Sequence, residues 1–196
     1  MPGLPMTSTA AGSDITIVYE THAITEDNET GVATGWLPGR LSAAGRETAV
    51  RLGERRREDG LAAVFVSDLD RAVETVEIAL GGSGIPVLKD WRLRECDYGS
   101  LNGAERSVVH DTRQAYLDQA YPGGESWAQA VARMGRFLAD LPLRWSGARV
   151  LVVGHLATRF GLDHFLGGRD LVDLLREEFE WQEGWEYVLR PGALRA

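Results

Sequence analysis

The strongest constraint in this chain is a repeated alternation. Short, uninterrupted apolar runs that stop at polar residues are followed by longer segments with apolar residues at helical spacing. The clearest run, Val150-Leu151-Val152-Val153, stops at Gly154-His155 and leads into a helical pattern from about Ala157 to Leu166. Ile15-Thr16-Ile17-Val18-Tyr19 stops at Glu20-Thr21-His22, and Leu61 to Val66 stops at Ser67-Asp68 before a helical pattern over Leu69 to Leu80. Runs that are apolar throughout fit strands buried on both faces, and connections of this length accommodate helical crossovers. The pattern therefore predicts an α/β fold of three layers, α/β/α, around a mostly parallel central sheet. Ligands of such sheets bind outside the carboxyl ends of the strands. That rule gathers Glu20, Thr21, His22, Ser67, Asp68, Arg71, Gly154 and His155 along one edge.

Between these segments the punctuation is readable. Glu26 to Gly39 has the Asn, Gly and Pro content of a loop, and Ser42 caps a helix predicted to run to about Asp59, with Ala49, Leu52 and Gly53 inside and Arg55-Arg56-Arg57 on a solvated face. Gly81 to Gly84 lacks the Lys-Ser/Thr of a nucleotide-binding loop and reads as a turn before a short strand, Ile85 to Leu88. Residues 100–125 form a mixed insertion, Glu125 to about Arg144 a helix with Ser126 near its start, and Trp181 to Leu189 a late strand or hairpin turned at Glu183-Gly184. At 196 residues the chain is one domain, placed at 14–196, behind a leader, Met1 to Ser13, with neither the basic nor the apolar region of a signal peptide.

Composition narrows the partners. With 29 acidic and 21 basic residues the net charge is -8, which disfavours nucleic acid and requires a local positive pocket for any anion. Lys89 is the single lysine, so the remaining basic residues are arginines, suited to bidentate recognition of phosphate or carboxylate. The lone Cys96 cannot pair within the chain and fits a reducing, cytoplasmic setting, and no apolar run is long enough to span a membrane.

Two histidines, an arginine and an acid, Glu95, suit phosphoryl transfer without a metal. A neutral imidazole attacks phosphorus, cationic donors balance the equatorial oxygens, and a carboxylic acid protonates the leaving alkoxide. Six ordered motifs sharpen this reading. They are His22-Ala23-Ile24-Thr25 with Asn28; Gly35-Trp36-Leu37 with Leu41-Ser42-Ala43-Ala44-Gly45; Ser67-Asp68-Leu69-Asp70-Arg71-Ala72-Val73-Glu74-Thr75; Leu93-Arg94-Glu95-Cys96-Asp97-Tyr98-Gly99 running on to Gly103; Pro122-Gly123-Gly124-Glu125-Ser126; and Val152-Val153-Gly154-His155. In these the chain resembles the histidine phosphatase superfamily, the phosphoglycerate-mutase-like proteins, over residues 15 to about 166. The resemblance implies His22 as phosphoryl acceptor, Arg71 as phosphate clamp, Glu95 as proton donor, His155 as a second phosphate ligand and Asn28 as a pocket donor, with Leu156 beside them. It also implies a small phosphorylated substrate, most often cleaved as a phosphomonoester, and no metal or cofactor; a homodimer is compatible with it.

One departure stands out. The arginine that the family carries before its nucleophile is Thr21 here, preceded by Glu20 where an apolar residue is usual. Loss of such a contact is worth about 2 to 4 kcal/mol in the transition state. Three readings stay open: another arginine reaches in, from Arg40, Arg94 or Arg159, with Arg159 one helical turn after His155 the most natural; the pocket suits a different ligand; or the chain binds without turnover.

Other features have plainer explanations. Asp68-Leu69-Asp70 imitates the Asp-x-Asp of magnesium phosphatases, but Asp68 reads as a helix cap. His110-Asp111 reads as a surface pair, Cys96 as a buried thiol, and Trp181, Trp185 and Tyr187 as sheet packing or a wall near the site.

Overall fold

The structure, a computed structural model, describes residues 12–194. Most of the leader expected over residues 1–13 lies outside the described residues. In chain order the elements are β1 (Ile15–Thr21), α1 (Glu26–Thr30), β2 (Val32–Ala33), α2 (Ala43–Arg56), β3 (Ala63–Val66), α3 (Asp70–Leu80), β4 (Val87–Lys89), β5 (Ala104–Glu105), α4 (Arg106–Thr112), α5 (Trp127–Asp140), α6 (Pro142–Trp145), β6 (Arg149–Gly154), α7 (Leu156–Phe165), α8 (Leu171–Leu174) and β7 (Trp185–Leu189).

Five strands form the central sheet in the order β4-β3-β6-β1-β7, with β2 and β5 pairing apart from it. The first four run parallel, and β7 closes the edge antiparallel to β1. This is the mostly parallel α/β sheet that the apolar runs predict. Side chains alternate across each strand. On β1, Ile15, Ile17 and Tyr19 pack with Met134, Phe137 and Leu162 of α5 and α7, whereas Val18 packs with Leu52, Ala72 and Val76 of α2 and α3. Glu20 shares the Val18 face, which turns out to decide its role.

Register places the site. Thr21 lies opposite Gly154 and Val66 opposite Val153, so β1, β6 and β3 end together. The next residues remain tied: the His22 amide donates to the Gly154 carbonyl at 2.9 Å and the Ser67 amide to the Val153 carbonyl at 3.0 Å. Gly154 has a packing reason, since a Cβ there would stand 2.3 Å from Thr158 Oγ1. That hydroxyl fixes the turn from β6 into α7 by accepting from the His155 amide and donating to the Leu93 carbonyl.

Several boundaries differ from the sequence reading. Ser42 does cap α2, accepting from the Gly45 amide, but the helix stops at Arg56. The helix expected to reach Arg144 stops at Asp140, because Pro142 has no amide hydrogen to continue it and starts α6 instead. Pro86 likewise delays β4 to Val87. The late strand is shorter than the alternating pattern, beginning at Trp185 after Gly184, whose φ is 83°. Asp68 does not cap α3: the cap residue is Leu69, with no side-chain bond, and the Asp68 carboxylate is held by Arg94.

Candidate active site

A cavity of about 1140 Å³ opens at the carboxyl ends of β1 and β6, with Arg71 of α3 in its lining. His22, Arg71, Glu95 and His155 line it together, as do Thr21, Asn28 and Leu156. The two imidazoles face one another with ring centroids 5.0 Å apart. Arg71, buried on α3, sits between them, donating from Nε to His22 Nε2 at 3.4 Å and from Nη2 to His155 Nδ1 at 3.3 Å. The same guanidinium is fixed by the carbonyls of Gly35 at 2.8 Å and Leu37 at 3.3 Å.

These contacts assign tautomers. A guanidinium only donates, so His22 Nε2 and His155 Nδ1 both present lone pairs. His22 Nδ1 then carries the hydrogen and donates it to the Ala23 carbonyl at 2.7 Å, and His155 Nε2 donates to Ser67 Oγ at 2.9 Å. His22 thus turns its unprotonated nitrogen toward Arg71 and the cavity. Enclosure and the Arg71 charge lower its pKa to about 3, against a small opposing effect of the Ala23 bond. The same two causes, burial first, hold His155 well below the ordinary imidazole range.

Glu95 is fixed by backbone. Its Oε1 accepts from the Cys96 amide at 2.8 Å and the Ala157 amide at 3.1 Å, and its Oε2 from the Leu156 amide at 3.2 Å. The last two amides open α7, so the carboxylate sits on a helix N-terminus. Burial raises the Glu95 carboxyl nevertheless, against the downward pull of the Cys96 amide, Arg71 and the Ala157 amide. Fully buried Arg133 fixes the chain around it, donating to the carbonyls of Arg92, Arg94 and Glu95 while pairing with Glu125. Sequence reading missed Arg133; the signal was an arginine on the apolar face of α5, between Ala130 and Met134.

Other expected pocket residues have different tasks. Asn28 sits in a capping box with Thr25, accepting from the Thr25 amide at 3.0 Å. Arg94 is outside the cavity lining, because it forms a bidentate pair with Asp68 at 2.7 Å and lies 4.5 Å from the Trp36 ring centroid. Arg159 pairs with Asp163 at 2.8 Å, covers Trp185, and lines a separate cavity of about 380 Å³. Arg40 is exposed and lines neither.

Glu20 lines the cavity as well, but its charge is met by neighbouring arginines. It is buried and its Oε1 accepts from Arg56 Nε at 2.9 Å, with Arg55 Nη2 at 3.5 Å. The carboxylate is therefore paired within the protein, with Arg56 closely and Arg55 at longer range. Arg55 and Arg56 are accordingly not a solvated face, and Arg57 bonds the Ala79 carbonyl at 2.7 Å. The aromatic residues divide: Trp185 and Tyr187 pack on the core, whereas Trp181 and Phe179 stand at the cavity mouth. His110 is at that mouth too, 3.1 Å from Glu178. Cys96 is buried, and burial and nearby carboxylates push its thiol up.

A parallel sheet ending in two neutral histidines, with an arginine between them and a carboxyl on a helix N-terminus, defines a phosphoryl-transfer class of α/β protein. The comparisons give the family. The model of the histidine phosphatase superfamily (branch 1) matches residues 21–180, and the chain belongs to that family. It is 34% identical over 159 residues to the 2,3-bisphosphoglycerate-dependent phosphoglycerate mutase of Afipia carboxidovorans, covering 73% of this chain and 76% of that protein. It is 38% identical over 200 residues to phosphoglycerate mutase 1 of Saccharomyces cerevisiae, covering 82% and 81%. Among solved structures, Bacillus stearothermophilus YhfR superposes with a TM-score of 0.76 at 27% identity, covering 88% of this chain and 90% of that one. A mycobacterial glucosyl-3-phosphoglycerate phosphatase solved with VO3 superposes at 0.71 with 22% identity over 85% and 86%, a likeness of fold. No helix among the described residues is long and apolar enough to cross a membrane.

Proposed function

We propose that the chain is a metal-independent phosphatase of a small phosphorylated molecule, working through a phosphohistidine at His22. The observation that carries the reading is the tautomer of His22: Nδ1 is tied to the Ala23 carbonyl, and Nε2 carries its lone pair on the cavity side beside Arg71. In the first step Nε2 forms a bond to phosphorus as the ester P–O bond breaks, and the Glu95 carboxyl gives its proton to the departing alkoxide. In the second step water attacks the phosphohistidine, Glu95 takes a proton from that water, and inorganic phosphate leaves as Nε2 regains its lone pair. Arg71 neutralises the equatorial oxygens in both steps. A dianion beside His155 raises its proton affinity and makes it a second cationic ligand.

Turnover of a generic phosphate ester in the presence of EDTA tests the reading. His22→Ala should abolish it, and activity that survives the substitution refutes the mechanism. A second reading draws on the mutase names of the relatives: the phosphoryl group returns to another hydroxyl of the bound molecule instead of water. Product analysis separates them, since hydrolysis releases inorganic phosphate in step with turnover and mutation does not. The non-catalytic alternative raised by Glu20-Thr21 predicts phosphate or vanadate binding with no turnover.

A further inference from the structure

The arginine expected immediately before His22 is missing, and Arg40, Arg94 and Arg159 stand elsewhere. We infer that Arg55, in the last turn of α2, replaces it as a substrate-anion ligand of the His22 site, brought to the cavity wall by Glu20. The inference rests on the phosphoryl-transfer reading of that site and adds a specificity residue to it.

Strand alternation turns Glu20 toward α2 and α3, the layer that also supplies Arg71. There the carboxylate meets two guanidiniums on unequal terms. Arg56 donates from Nε at 2.9 Å and is further held by Asp59 at 3.2 Å and the Glu183 carbonyl at 3.3 Å. Arg55 has only long contacts, 3.5 Å to Glu20 and 3.5 Å to the carboxylate of Glu183, which is 61% exposed. Its Nε is shielded from solvent and has no acceptor among the described residues. A buried donor without a partner calls for an explanation, and here it marks a guanidinium held by carboxylates but saturated by neither.

The charge count follows. Arg56 makes the close contact to Glu20 and shares Asp59, so Arg55, held only by the two long carboxylate contacts, is the guanidinium of this cluster left free to turn to an anion in the cavity that Thr21 and His22 also line. A phosphoryl dianion offers closer acceptors than either long carboxylate contact, and the guanidinium fork accepts it bidentately. The Glu20-Thr21 pair therefore moves a cation from the strand end to the facing helix. Arg51 lines the same wall, but at 56% exposed it lies in water.

The test combines hydrolysis of p-nitrophenyl phosphate with calorimetric binding of orthovanadate, for the wild type, Arg55→Ala, Arg55→Lys, Arg56→Ala, Thr21→Arg and the Thr21→Arg/Arg55→Ala double variant. Arg55→Ala should raise both KM and the vanadate Kd by about 10-fold or more, the range of a hydrogen bond to a charged group, with the melting temperature held. Arg55→Lys should recover part of the loss. Thr21→Arg should restore more affinity in the Arg55→Ala background than it adds to the wild type, as two routes to one contact require. Arg56→Ala leaves Glu20 to Arg55 alone and should lower the melting temperature and weaken vanadate binding together, whereas Arg55→Ala weakens binding with the melting temperature held. Unchanged KM and vanadate affinity in Arg55→Ala overturns the inference while leaving a working phosphatase. Absence of wild-type turnover overturns the phosphatase reading instead, and the vanadate arm still decides on Arg55: weaker binding in Arg55→Ala upholds it, equal binding or none in the wild type refutes it.

Discussion

Replacing Glu95 by glutamine keeps the shape of the side chain and removes its proton chemistry. The three amides on this carboxylate set the structural cost. In one orientation the introduced carboxamide oxygen takes the place of Oε1 and serves Cys96 and Ala157, so the carboxamide NH₂ meets the Leu156 amide, donor against donor. A lost bond with an unsatisfied donor costs about 1 to 3 kcal/mol. Relief from burying a charge offsets part of that, so the fold should survive with a melting point a few degrees lower. The catalytic cost should be larger, about 10² to 10⁴ in rate for a positioned general acid and base, or about 2.7 to 5.5 kcal/mol. Leaving-group chemistry separates the two halves. With p-nitrophenyl phosphate the departing phenolate needs little help, so Glu95→Gln should release one equivalent of nitrophenol in a burst and then stall as phosphohistidine, which an alkaline quench preserves. With an alkyl phosphate, both burst and turnover should fall. A Glu95→Gln enzyme within about threefold of wild type on both esters would refute the assigned role.

Three further outcomes follow from single contacts. Arg56→Ala leaves Glu20 facing only the long Arg55 contact; breaking a buried pair costs about 3 to 5 kcal/mol, reduced here by Arg55, and a loss of several degrees on thermal unfolding checks it against no change. Gly45→Ala puts a Cβ 1.9 Å from the Ile24 carbonyl oxygen, which α2 and the segment after His22 cannot both accommodate; urea titration should show strong destabilisation, and a wild-type midpoint would contradict the packing. His22 and His155 are both neutral in the fold, His22 with a pKa of about 3 against an ordinary value of 6.5. The unfolded chain therefore binds more protons between these values, so the His22 contribution to stability is full above pH 6.5 and lost as pH falls toward 3; His155, also lowered, acts in the same direction. His22→Asn should flatten that part of a denaturation series run from pH 7 to pH 4.

The parts of the fold legible in sequence were those decided by burial within one segment. Val150 to Val153 is packed on both faces, so its apolar run marks the strand and Gly154-His155 its functional end. Ser126 and Ser42 cap their helices through bonds to residues three positions on. The illegible parts are side chains whose partners lie on other elements. Asp68 and Arg94 are 26 residues apart, so neither cap nor clamp could be distinguished from a mutual ion pair. Glu20 and Arg56 are 36 residues apart, and only the packing of α2 against β1 reveals that the acid is neutralised. Trp181 and Trp185 look alike in sequence but are separated by Gly184, where the chain turns from the cavity mouth into the sheet.

That long-range arrangement has a kinetic consequence. Arg71 lies against both imidazoles, and its charge together with enclosure keeps them unprotonated before substrate arrives. A protonated His22 could not attack, so an ordinary imidazole would show a loss of kcat/KM below about pH 6.5. With its pKa at about 3, His22 should impose no acid limb between pH 7 and pH 5. In the proposed mechanism the alkaline side belongs to Glu95, the proton donor of the first step, whose pKa is raised by burial. The kcat/KM of the free enzyme on an alkyl phosphate should therefore rise or hold as pH falls from 7 to 5, after correction for ionisation of the ester. Burial is the larger cause and Arg71 the second, so Arg71→Met should raise the His22 pKa only part of the way, and any acid limb in the residual activity of that variant should begin at higher pH than in the wild type. An acid limb near pH 6.5 in the wild type would show that His22 titrates as a free imidazole and that neither burial nor Arg71 holds it neutral.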